Sequence, residues 1–180
     1  MKILLILLFT LGLYADVKQN MFNLYQNKKY QDVCNIGFDN FKKNKKDENF
    51  VSLYAFSCLK SDYIDRLAIP VALLKFSPEA RSNSAYFSII LMQKKLLYHA
   101  LIDNYDLTAL NLPTTDYVLS KVFDYYSKLG VHKARVYYLF EDKDDKKLTY
   151  KLYLEKDRKL NKIVIEEFYN TVMLTRHVYW

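Results

Sequence analysis

Cys34 and Cys58 stand on two apolar-striped segments that run from Tyr30 to Asp62, on either side of the polar run Lys42-Lys43-Asn44-Lys45-Lys46-Asp47. They are the only two cysteines of the chain, and their placement restricts the fold more than any other feature. On each arm apolar or small residues recur at helical spacing: Val33, Cys34, Gly37 and Phe41 on the first, Val51, Ala55, Cys58 and Leu59 on the second. Folded as antiparallel helices about the polar run, the arms set Cys34 against Cys58, Gly37 against Ala55, Ile36 against Phe56 and Val33 against Leu59. The small pair lets the two backbones approach closely. This predicts a disulfide between Cys34 and Cys58, with two reduced cysteines filling the helix interface as the competing arrangement. A bridge closing a loop of about 24 residues adds on the order of 3 kcal/mol of stability. The spacing is nothing like the Cys-x-x-Cys of redox-active pairs.

The first residues say where such a bridge would form. Met1-Lys2 is followed by the apolar run from Ile3 to Leu13 and then by Tyr14-Ala15-Asp16, which reads as a secretory signal peptide over residues 1–15. The run is too short for a permanent membrane span, an uncleaved N-terminal anchor being the competing reading. No cysteine follows the expected cut, so a lipid anchor is not expected. Export to the periplasm, or secondarily to the extracellular space, would place the thiols where bridges persist. The remaining residues, 16–180, suffice for one ordinary domain or two small ones and for a sizeable core. Lysines carry the formal net charge of +7, but most stand in turns or alternate with acids. That distribution predicts solvated loops rather than a nucleic-acid site.

Helical periodicity dominates as far as Gly130. Val17, Met21, Leu24 and Tyr25 form one stripe, Asn27-Lys28-Lys29 breaks it, and Tyr30 restarts it. The stretch from Leu24 to Val33 resembles the inter-helix turn of tetratricopeptide-type repeats, in which an aromatic opens the second helix and docks back on the first. A second copy lies at Leu59 to Leu67, so that Tyr30 and Tyr63 are nearly one repeat apart. The resemblance extends over residues 17–104 and implies stacked helical hairpins that present grooves to partners. Pro70 requires a helix to start, end or kink near Ile69. Ser77-Pro78-Glu79 opens a long helix with serine as N-cap, apolar on most of its circumference until Gln93-Lys94-Lys95. A connector from Asn104 to Pro113 follows. Thr114-Thr115-Asp116 then caps a helix striped by Tyr117, Val118, Val122, Tyr125 and Leu129 and ended by Gly130.

Beyond Gly130 the apolar period changes from about 3.6 to 2. Leu148, Tyr150, Leu152 and Leu154 alternate with Lys147, Thr149, Lys151 and Tyr153. Strands are also expected over 135–141, 162–169 and 171–180, with polar turns over 142–146 and 155–159. The fold class is thus α+β: a tetratricopeptide-like helical region over 16–130, then an antiparallel β-meander over 131–180.

Linear signatures of catalysis are missing from the sequence: no Gly-x-Ser-x-Gly, no His-Glu-x-x-His, and three glycines in all. His99, His132 and His177 fall on different elements. Glu166 and Glu167 are neighbours in a strand and point to opposite faces, so they cannot form an acid/base pair. No catalytic, cofactor or metal residues are assigned. Tyr137, Tyr138, Tyr150 and Tyr153 invite glycan stacking on one sheet face, although core packing explains them more simply. The tail from Val172 to Trp180 resembles the closing strand of outer-membrane β-barrels, but four strands cannot close such a barrel. The tail is instead expected to close a small sheet, with Val172, Leu174, Val178, Tyr179 and Trp180 available to pair with a strand of another protein. Together these readings point to a non-enzymatic interaction or scaffold protein of an envelope assembly, its partners periplasmic or envelope proteins. Small helical-repeat proteins with signal peptides recur in the disks around bacterial flagellar motors, which makes a motor accessory the specific case. The alternatives are an envelope enzyme, a glycan-binding module and a secreted effector.

Overall fold

The computed structural model describes residues 17–156 and 160–180, in two compact units divided along the chain between Ala85 and Tyr86. The expected signal peptide lies outside the described residues, as do 157–159 of the expected turn after the second strand. Among the described residues there are six α-helices followed by a four-stranded antiparallel sheet, an α+β fold with helices first and a β-meander last.

The first unit begins with α1 over 17–26, α2 (Tyr30–Asn44) and α3 (Glu48–Lys60). Lys28 takes a positive φ of 58°, reversing the chain between α1 and α2, and Tyr30 packs edge-on against Tyr25 with ring centroids 5.1 Å apart. The α2–α3 hairpin closes on the Cys34 to Cys58 disulfide, whose Cα atoms are 4.8 Å apart and whose side chains are fully buried. Asp47 caps α3 by accepting from the backbone N–H groups of Asn49 and Phe50, and Lys18 pairs with it at 2.7 Å. Val33 and Leu59 are buried as the hairpin register expects. Gly37 also packs closely on Tyr54: a Cβ added there would lie 2.5 Å from Tyr54 Cδ2. The large ring, not a second small residue, is what requires glycine.

Pro70 is accommodated near a helix start. A 3₁₀ turn, Ile64–Leu67, runs into α4 (Ala68–Leu73), where Pro70 falls in the first turn and its missing N–H leaves no helical bond unmade. The α5 helix (Pro78–Asp103) begins where expected, with Ser77 Oγ accepting from the Ala80 N–H at 3.1 Å. Ahead of it the Glu48 carboxylate accepts from the N–H groups of Lys75, Phe76 and Ser77 at 2.9, 2.7 and 2.9 Å. The Phe76 N–H and its two neighbours hold that carboxyl down at about 2.

The second unit contains the rest of α5, then α6 (Val118–Ser127), β1 (Tyr137–Glu141), β2 (Leu148–Lys156), β3 (Asn161–Tyr169) and β4 (Val172–Tyr179). Each strand pairs antiparallel with the next, so β1 and β4 form the edges. The inner face carries Tyr138, Phe140, Tyr150, Leu152, Ile163, Ile165 and Tyr179, all buried. Helix α6 covers part of it, with Tyr126 edge-on to Tyr138 at 5.0 Å and Tyr125 against Phe140 at 5.8 Å. The cap of α6 differs from the expected triad. Tyr117 is the N-cap and makes no side-chain capping bond, Asp116 accepts from the Tyr86 hydroxyl instead, and Leu129 lies beyond the helix in solvent. Gly130 does reverse the chain, at a φ of 67°.

Along α5 the run Gln93-Lys94-Lys95 is only partly a solvent face. Gln93 and Lys94 are 1% and 2% exposed. The Gln93 amide donates to the Pro113 carbonyl, and the Lys94 ammonium donates to the Trp180 carbonyl.

Candidate functional site

The residues singled out for partner binding divide between solvent and core. Val172, Leu174 and Trp180 are 65%, 59% and 48% exposed, and Met173 between the first two is 55% exposed. A bulge opposite Glu167 and Phe168 shifts the register, and Val172-Met173-Leu174 stand in solvent together, as do Thr175 and Arg176 after them. Val178 is half-buried, paired with Val164. Tyr179 belongs to the core: it pairs with Ile163, is 1% exposed, and its hydroxyl lies 3.2 Å from that of Tyr117. Its side chain is therefore withdrawn from the surface.

The four candidate stacking tyrosines also divide. Tyr138 and Tyr150 face the core, and Tyr150 donates to the buried Asp142 carboxylate at 2.7 Å. Tyr137 and Tyr153 face outward, with the Lys151 ammonium 5.6 and 5.1 Å from their ring centroids. They do not form one four-ring platform. On the same outer face Glu166 accepts from the Tyr153 hydroxyl at 2.8 Å and pairs with Lys151 and Arg176, and Arg176 also pairs with Glu155. Glu167 points the other way and meets His177 at 2.9 Å. The two glutamates are thus on opposite faces, as their adjacency requires.

Between the last turn of α5 and the entry to the sheet the second unit holds a cleft of about 660 Å³. Leu101 and Ile102 come from α5, Val136 from the segment entering β1, and Leu154 from β2. Tyr126 and Tyr138 also line a smaller recess, together with His132. His132 Nδ1 lies 2.7 Å from the Gly130 carbonyl, which can only accept, so the proton is on Nδ1. Nε2 then accepts from the Tyr138 hydroxyl at 3.1 Å, and that hydroxyl accepts from the Arg135 N–H. Burial, reinforced by the Tyr138 hydroxyl, pushes the Tyr126 phenol up. His99 is elsewhere, 2.8 Å from Asp103 and stacked on Tyr105.

Among the described residues no group of His, Cys, Asp or Glu could hold a metal ion, and no helix is long and apolar enough to cross a membrane. Comparison of the chain with protein-family models, curated proteins and solved structures finds no match. The cleft is what sequence reasoning missed. Its walls come from five separate segments, which no local pattern in the sequence brings together.

Proposed function

We propose that this protein is an exported, non-enzymatic interaction or scaffold component of an envelope assembly, its partner a periplasmic or envelope protein. One observation carries the reading: an edge strand, β4, whose first three residues are large, apolar and in solvent. An exposed row of this kind at a sheet edge suits strand addition, in which main-chain bonds provide affinity and alternate side chains provide selectivity. The Cys34 to Cys58 bridge accords with an oxidising compartment. The tetratricopeptide-like part rests on left-handed turns at Lys28 and Asp62, whose separation matches the repeat period of about 34 residues. A flagellar-motor accessory is the specific case within this class.

The test is affinity recovery of the tagged protein from crosslinked envelopes, run beside a Val172→Glu/Leu174→Glu variant. A stoichiometric envelope protein recovered with the native chain and lost with the variant is the expected result. Recovery of the chain alone, or of the same protein with both, would remove the β4 edge as the docking element.

A further inference from the structure

The cleft beside the C-terminal turn of α5 has the shape and chemistry of a small-molecule site, and this does not depend on the scaffold reading. Its volume of about 660 Å³ lies within the roughly 300–1,000 Å³ typical of ligand pockets. Leu101, Ile102, Val136 and Leu154 line it with branched apolar side chains. None of the four is fully buried, and Val136 is 89% exposed, an unusual position for valine without a covering group. The charged residues at its rim are Arg135 and Lys156, and no carboxylate is among its described lining residues. The guanidinium of Arg135 lies 5.8 Å from the Tyr138 ring centroid, which leaves its edge free to meet an anion. The last turn of α5 also lines the cleft, and its carbonyl end disfavours negative charge beside it. The cleft therefore offers cationic side chains to an anionic head and branched apolar side chains to an uncharged chain.

We propose that this cleft binds a long-chain monocarboxylate of the fatty-acid class, its carboxylate at Arg135 and Lys156 and its hydrocarbon along Leu101, Ile102, Val136 and Leu154. The charge pattern decides between amphiphiles. A cationic surfactant of the same length would face two like charges at the head and gain only the chain.

Calorimetric titration of the full chain with dodecanoate, below its micellar concentration, is the direct test. Saturable one-to-one binding is expected. Removing two methylenes should weaken it roughly fifteen-fold, since each buried methylene is worth about four-fold in affinity. Dodecylammonium should bind at least ten-fold more weakly. Reversing the rim charges, Arg135→Glu with Lys156→Glu, should cost dodecanoate about ten-fold, whereas the same reversal at exposed Lys45 and Lys46 should not. Val136→Asp changes an exposed side chain, so folding is not at issue, and should cost as much. No saturable binding, equal affinity for the two head groups, or indifference to both the rim reversal and Val136→Asp would each overturn the proposal.

Discussion

At the scale of single residues the α2–α3 hairpin depends on one missing methyl and one covalent bond. Gly37 has no positive φ to justify it; what fixes it is the Tyr54 ring, whose Cδ2, Cβ and Cγ would lie 2.5, 2.9 and 2.9 Å from an added Cβ. Tyr54 is 3% exposed and packs against Phe41, so it cannot swing away freely. Gly37→Ala should therefore destabilise the protein by about 1–3 kcal/mol despite alanine's better helix propensity. Chemical unfolding checks this, and a neutral or stabilising result would mean that Tyr54 yields. Cys34→Ser should lower stability by about 3 kcal/mol when the parent is oxidised and by much less when it is reduced. Equal midpoints for parent and variant without reductant would show that the bridge contributes nothing.

At the scale of elements the hairpin between β3 and β4 turns on Asn170 and Thr171, both left-handed, with φ of 46° and 72°. Two-residue turns of this hand match the twist of the strands and favour Asn-Gly. Threonine is β-branched and pays about 1–2 kcal/mol in this region. Thr171→Gly should stabilise the sheet by up to about 1 kcal/mol after the flexibility of glycine in the unfolded chain is subtracted, measurable as a higher thermal midpoint. A lower midpoint would mean that the Thr171 side chain contributes more than its backbone costs. Alternation over Leu148 to Leu154, the β-branched and aromatic runs around it and the two facing helical stripes made the sheet and the paired cysteines legible. The same reasoning failed where burial is decided by distant segments. Lys94 and Gln93 look like a solvent face in sequence, yet they bond to Trp180 and Pro113, neighbours that no local pattern announces. Asp142 reads as a turn residue and is one, accepting from the Asp144 and Asp145 N–H groups, but it is also 4% exposed beneath Tyr150.

At the scale of the whole molecule the candidate cleft was not legible at all, since Leu101, Val136 and Leu154 come together only through the path of the chain. The response of stability to pH does follow from groups spread along the sequence. Backbone N–H groups hold the Glu48 carboxyl at about 2 against an ordinary 4.5. In Asp142 burial pushes up, but the Asp144 N–H, the Tyr150 hydroxyl, the Asp145 N–H and the Lys121 charge prevail and hold it at about 2. Asp47 is lowered too, Lys18 and two backbone N–H groups outweighing burial. Carboxyls with depressed folded values stabilise fully above their unfolded values, and that contribution is lost as pH falls through the folded ones. The acid limb of stability should run from about 4.5 down to about 2. Burial raises the phenols of Tyr25, Tyr54, Tyr86, Tyr126 and Tyr150 above 10.0. A raised folded value acts in the opposite sense: its contribution is intact below 10.0 and is lost as pH rises from there. Thermal unfolding followed by circular dichroism should thus show a plateau between about pH 5 and pH 10 with a fall on each side. Glu48 provides the internal check, because Glu48→Gln keeps one acceptor for the three N–H groups. That variant should start from a lower plateau and approach the parent as pH drops from 4.5 to 2, where the parent's carboxylate becomes protonated as well. Parallel curves through that interval would show that the Glu48 charge does not hold the turn before α5.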